Sequence, residues 1–261
     1  KLKYQTDDVQ MALNTLKKHN VAIVADVVEH GKSIIASTVA RNLKLRTIVI
    51  CPPHLYKQWE DYRDEFGFVA SVFSAGKIEG ALLHYEELVK DDEQFLIIID
   101  EAHRFRNEYT QDYALLHNLC SGNKVLLLTA TPFNNQPADI YSLIKLFQIP
   151  SRSTLKTVEN LGAAFKDLID KYRDLREAQR KGESSEEEVK AEVNNISKDI
   201  RSIISPLVVR RSRLDLQEID EYATDLKQQG IQLVIPNDPT ELTYDLSELK
   251  DLYLNTLDRI S

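Results

Sequence analysis

Cysteine is nearly absent. Cys51 and Cys120 are the only two in 261 residues and lie far apart, which excludes a disulfide framework and a cysteine-based metal spacing. That scarcity suits a reducing compartment, and the cytoplasm is the expected location. Six histidines are scattered, with no His/Cys cluster of the kind a zinc site needs. No apolar run is long enough for a membrane-spanning helix, and no signal peptide is visible. Basic charge is also short. Lys and Arg number 33 against 41 Asp and Glu, a net charge of −8, which argues against a chain-wide basic face for nucleic acid. Much of the acid sits between Glu177 and Glu192, including Glu186, Glu187 and Glu188, so a local basic face elsewhere is compatible with the total. Nothing points to an obligate dimer, and a monomer is expected. The start at Lys1 rather than Met suggests a piece of a longer chain.

What is present is an alternating pattern. Val21–Asp26, Arg46–Cys51, Val69–Phe73, Phe95–Asp100 and Lys124–Thr129 are short, apolar and rich in β-branched residues. Such nearly continuous runs mark strands covered on both faces. Between them, helical segments are expected near Asp7–Lys18, Lys32–Asn42, Leu55–Glu65, Gly80–Lys90 and Asp112–Leu119. Strand and helix alternating at this spacing predict an α/β fold with a parallel sheet flanked by helices. After Pro150 the character changes. Val158–Ser205 has helical periodicity, with a break at Gly182 and Ser184 or Ser185 able to cap a second helix. An apolar stretch flanked by arginines follows, and the tail from Gln232 holds two short strand candidates and an amphipathic helix.

Three stretches carry chemistry. "IIIDEAH", Ile97–His103, ends an apolar strand on Asp100 and Glu101. Paired carboxylates at a strand end suit magnesium binding and activation of water, although a solvated acidic turn has the same composition. Gly31, Lys32 and Ser33 open a helix directly after the first strand. The helix amides form an anion site, Lys32 reaches phosphate, and the Ser33 hydroxyl suits magnesium. "LLLTATPFNN", Leu127–Asn135, runs a strand into Thr129 and Thr131, either a link from a phosphate site to a neighbouring surface or a threonine-capped turn.

In order, "YQ" (Tyr4, Gln5), "DVVEHGKS", "ICPPHLYKQW", "DEAHRFRN", "TATPFNN" and "PLVVRRSR" resemble the first motor lobe of superfamily 2 helicases and translocases, in particular the Swi/Snf-like branch and related bacterial helicases. The resemblance covers most of residues 1–150 and resumes near Pro206. It implies a RecA-like P-loop NTPase lobe over 1–150, a helical insertion over 151–205, and a connector with the start of a second lobe over 206–261. It implies ATP and Mg2+ as ligands and DNA as partner. Gln5 would contact adenine. Gly31, Lys32, Ser33 and His103 would bind nucleotide, and Ser33 and Asp100 the magnesium. Glu101 would be the catalytic base, acting with Asp100 and Lys32. Thr129 and Thr131 would couple nucleotide state to DNA. Pro53, His54 and Lys57 would face the DNA backbone. Arg210 and Arg211 would contact nucleic acid or the other lobe, unless they are solvated on a connector. Trp59 suits a base-stacking platform but fits the core better.

Two departures stand out. Glu29 replaces a loop glycine of the family's phosphate-binding motif, with His30 beside it. A carboxylate about 5 Å from a phosphate charge costs roughly 3 kcal/mol at an effective dielectric near 20, and little if it turns to solvent. Second, nothing after Arg213 is long enough for the second lobe's motifs, including its arginine fingers. The 261 residues are therefore expected to hydrolyse ATP poorly by themselves. The sequence predicts the ATP-binding lobe of an ATP-dependent DNA helicase or translocase. The alternatives are a degenerate module binding DNA or protein without nucleotide, and an unrelated P-loop ATPase or kinase.

Overall fold

The computed structural model describes residues 2–25, 31–90, 93–129, 136–210, 216 and 218–230. The tail candidates within 232–261 lie outside these residues. The first half alternates as follows: α1 (Lys3–His19), β1 (Val21–Val24), α2 (Gly31–Leu43), β2 (Thr47–Cys51), α3 (Tyr56–Phe66), β3 (Ala70–Ser74), α4 (Ile78–Leu88), β4 (Leu96–Ile99), α5 (Gln111–Cys120) and β5 (Lys124–Leu128). Then come α6 (Pro137–Lys145), α7 (Leu161–Lys181), α8 (Glu186–Ile204), a two-residue strand β6 (Val208–Val209) and α9 (Asp220–Gln228).

The strands form one sheet in the order β3-β2-β4-β5-β1-β6, with every pairing parallel. Alternation along each strand divides the side chains between two cores. Val21, Ile23, Ile48, Ile50, Ile97, Ile99, Val125 and Leu127 face one side, where residues of α4 to α8 cover them. Ala22, Val24, Val49, Cys51, Leu96, Ile98, Leu126 and Leu128 face the other, under α1, α2 and α3. Both faces are dry, which is why the strands are continuously apolar. Each fully buried aliphatic side chain contributes about 1.5–3 kcal/mol of transfer energy.

The helices past Pro150 share this core. Leu161, Phe165 and Leu168 recur on one face of α7 and are buried in the cluster that covers the first sheet face. Phe165 stacks on Tyr141 of α6 with ring centroids 4.9 Å apart. Gly182 ends α7 at φ +72°, a backbone conformation that favours glycine. Ser185 caps α8: its hydroxyl accepts from the Glu188 N–H, and the Glu188 carboxylate accepts from the Ser185 N–H. Val208 and Val209 then return to the sheet and pair with Ile23 and Val24 of β1.

Candidate active site

All strands run the same way, so their carboxyl ends share one edge. Ligands gather at such an edge in open α/β sheets. β4 delivers Asp100 and Glu101 there, β5 delivers Thr129, and α2, which follows β1, opens with Gly31, Lys32 and Ser33. The chain after β2 brings Pro53, His54 and Lys57 to the same edge, and β6 brings Arg210. α1 joins β1 through Asn20 alone and packs along it, so its first turn, with Gln5, also lies toward this edge. Glu29, His30, Thr131 and Arg211 lie outside the described residues.

Asp100 is held at both carboxylate oxygens. Its side chain is 4% exposed. One carboxylate oxygen, Oδ2, accepts from the Trp59 indole N–H at 2.9 Å, and the other, Oδ1, accepts from the Glu101 backbone N–H at 2.9 Å. Burial pushes the Asp100 carboxyl above the usual carboxylate range. The two N–H donors and the nearby Lys32 cation pull against that rise, while the Glu101 charge adds to it. Lys32, in the first turn of α2, is itself 6% exposed. A buried lysine and a buried carboxylate thus lie close enough to interact, at the ends of β1 and β4 on either side of β5, beside a helix N-terminus that carries no acidic residue in its first turn.

Glu101 has φ +52° and ψ 47°, one of three non-glycine residues at positive φ among those described. A non-glycine residue in this region carries strain, and such strain gathers at functional sites. His103, in the short 3-10 turn that follows, places Nδ1 3.1 Å from Glu101 Oε2. The nitrogen is buried but off line for a hydrogen bond. Thr129 is buried, and its backbone N–H donates to the Val24 carbonyl at 3.2 Å, tying the end of β5 to the end of β1. Ser33 is half-buried.

Gln5 and Thr6 line a cleft of about 160 Å3 between α1 and α2, with Val9, Leu13, Ile34 and Thr38 among its walls. Pro53, His54 and Lys57 are exposed. Lys57 is bonded to Asp61 at 3.0 Å and lies 3.9 Å from Glu60, so its charge is already engaged on its own helix. Arg210 is exposed at the end of β6. Burial, helped by the Asp100 charge, pushes the Cys51 thiol up to about 12, which keeps it neutral.

Trp59 is the only buried residue of α3 and belongs to the core, as its sequence context favours. Its bond to Asp100 was not foreseen. The available signal was a buried indole N–H, which needs an acceptor.

The SNF2-related domain family matches residues 77–235. An uncharacterized ATP-dependent helicase, YqhH of Bacillus subtilis, is 29% identical over 159 residues, covering 54% of this chain and 28% of that protein. The chromodomain-helicase-DNA-binding protein 1-like of Danio rerio is 27% identical over 194 residues, covering 63% of this chain and 19% of that one. The chain therefore spans less than a third of these relatives. A solved structure, the Sulfolobus solfataricus SWI2/SNF2 ATPase core in complex with dsDNA, superposes with a TM-score of 0.59 at 20% identity. That match covers 85% of this chain and 46% of the other, and it bears on the fold: a RecA-like α/β lobe. With well over half its length matched, this chain belongs to the SNF2-related domain family.

Proposed function

We propose that this chain is the ATP-binding motor lobe of an ATP-dependent DNA helicase or translocase, in which nucleotide hydrolysis is coupled to movement on DNA. The observation that carries the reading is the juxtaposition of buried Lys32 and buried Asp100 at the sheet edge, with strained Glu101 next in sequence.

The residues fit a magnesium nucleotide. Lys32 and the first-turn amides of α2 supply positive charge for the phosphates. Asp100 and the Ser33 hydroxyl supply hard oxygen ligands for a divalent cation. Among the described residues no cluster of three His, Cys, Asp or Glu could hold a metal without help. That is how Mg2+ is usually bound, by one or two carboxylates together with substrate phosphates and water. When bound, the cation neutralises charge on the phosphates. Glu101 would accept the proton of the attacking water, and His103 two residues on would contact the nucleotide. Gln5, at the mouth of the α1–α2 cleft, would meet the adenine. Thr129, bonded to β1 through its backbone, would pass nucleotide state to the DNA-facing surface, with Thr131 further along.

DNA would lie along the same edge, against Pro53, His54, Lys57, Arg210 and Arg211. The similarity to helicases and to a dsDNA-bound ATPase core supports this placement. A second motor lobe would close over the edge as the partner of this one, in a monomeric, cytoplasmic protein. The large exposed apolar side chains, such as Met11, Leu83, Tyr109 and Ile149, lie on separate elements rather than in one segment.

Titration of a labelled DNA duplex at increasing salt tests the DNA half of the reading. Binding whose logarithm falls linearly with log salt is expected for phosphate contacts. Absence of duplex binding at low salt contradicts it.

A further inference from the structure

α3 is a polar helix with a single anchor. Of Tyr56–Phe66, only Trp59 is buried, at 1% exposure. Its ring sits in the core under the second sheet face, edge-on to Tyr62 at 6.1 Å. Packing alone explains a large apolar side chain here, and a phenylalanine would meet that need. It does not explain where the indole N–H goes. A buried indole N–H needs an acceptor, and a backbone carbonyl would suffice. Instead it donates at 2.9 Å to a carboxylate oxygen of Asp100, a residue 41 positions away on another element.

The second oxygen of Asp100 is held as well, by the Glu101 backbone N–H at 2.9 Å. Both donors belong to fixed structure, one a core side chain and the other main chain. The carboxylate is therefore fixed in rotation before any ligand arrives. Each oxygen keeps a further lone pair. Such support from outside the ligand set commonly sets metal affinity, and its loss costs about 10–100-fold.

On the nucleotide-binding reading, we propose that Trp59 is a positioning residue: its indole N–H orients Asp100 for the divalent cation of bound nucleotide. α3 also begins just after Pro53 and His54, the exposed turn at the same edge. A shift of α3 therefore reaches Asp100 through this bond, and a change at Asp100 reaches α3 by the same route.

Trp59 is the only tryptophan of the 261 residues, so a change of tryptophan throughout the chain alters one position. Replacement by β-(3-benzothienyl)alanine exchanges the N–H for sulfur and keeps the shape of the ring. ATP affinity is measured by calorimetry in Mg2+ and in EDTA, for the unmodified and replaced proteins. The unmodified protein is expected to bind ATP more tightly with Mg2+. That advantage is expected to fall about tenfold on replacement, while affinity in EDTA stays the same. Trp59→Phe, which removes the donor by mutation, is expected to lose the same advantage. An unchanged advantage in both proteins overturns the proposal, and so does an equal loss in Mg2+ and EDTA. If the unmodified protein binds no ATP in either condition, the nucleotide-site reading falls and takes this proposal with it.

Discussion

His103 Nδ1 lies 3.1 Å from the Oε2 of Glu101, two residues earlier, while Glu101 itself sits in the left-handed region at φ +52°. The pair forms the one turn where β4 leaves the sheet. If Glu101 is the base, Glu101→Gln lowers kcat for ATP by about 10²–10⁴-fold, the usual worth of general-base catalysis. The Kd for ATP stays within about threefold, because the residue is not asked to hold phosphate. Turnover in a protein that carries both motor lobes, and ATP binding in parallel, check the split.

The backbone of Glu101 predicts a trade of stability against activity. Holding an L-residue in the left-handed region costs about 1–2 kcal/mol, and glycine removes that cost. Glu101→Gly is expected to exceed Glu101→Ala in unfolding free energy by about 1 kcal/mol in urea titrations. Both variants lack the carboxylate, so the difference isolates the backbone. Equal stability would show that the turn is not strained.

Asn123 bridges two buried elements. Its Oδ1 accepts from the Phe95 N–H at 2.9 Å, and its Nδ2 donates to the Leu119 carbonyl at 2.9 Å. This side chain joins the end of α5 to the start of β4. Asn123→Ala leaves two buried main-chain groups without their partner and is expected to cost about 2–4 kcal/mol. Urea denaturation checks it, and a loss under 1 kcal/mol would contradict this account of the bridge.

Stability should also depend on pH through His19. Burial, with a smaller contribution from the Lys18 charge, holds this histidine below its usual range. Its Nδ1 lies 2.8 Å from the Thr154 hydroxyl. With the folded pKa depressed, the unfolded chain binds the extra proton first. The contribution is present above the unfolded value of about 6.5 and is lost as pH falls through the folded pKa. His19→Gln should therefore flatten part of the decline in unfolding free energy between neutral and mildly acidic pH.

The sheet was legible because burial on both faces leaves a continuous apolar run, and Leu96–Ile99 is as plain in the sequence as in the fold. The strand ends shift by a residue or two, and α1 begins at Lys3 rather than Asp7, since Leu2 offers no polar side chain to announce the start. β6 escaped because two valines are too short for a pattern. α6 was not expected either, since its signal is one nine-residue amphipathic stretch. Gly182 and Ser185 marked the α7–α8 boundary because turn and cap chemistry is local. The Trp59–Asp100 bond and the backbone of Glu101 are tertiary facts that no spacing encodes. Lys32, Ser33, Asp100, Glu101 and Thr129 were nameable from their motifs at strand ends and a helix start, whereas Gln5, Pro53, His54, Lys57 and Arg210 were named only through the family resemblance. Thr131 and Arg211 lie beyond the described residues.

The most direct test of the account is calorimetric titration of ATP with Mg2+ into this protein and its Lys32→Ala variant, with circular dichroism to confirm that the variant folds. Charge-assisted hydrogen bonds are worth about 1.5–3 kcal/mol. The account predicts binding in the micromolar range, weakened about 10–100-fold by Lys32→Ala. No binding by the unmodified protein, or equal binding by both, would contradict a nucleotide site built on Lys32 and Asp100.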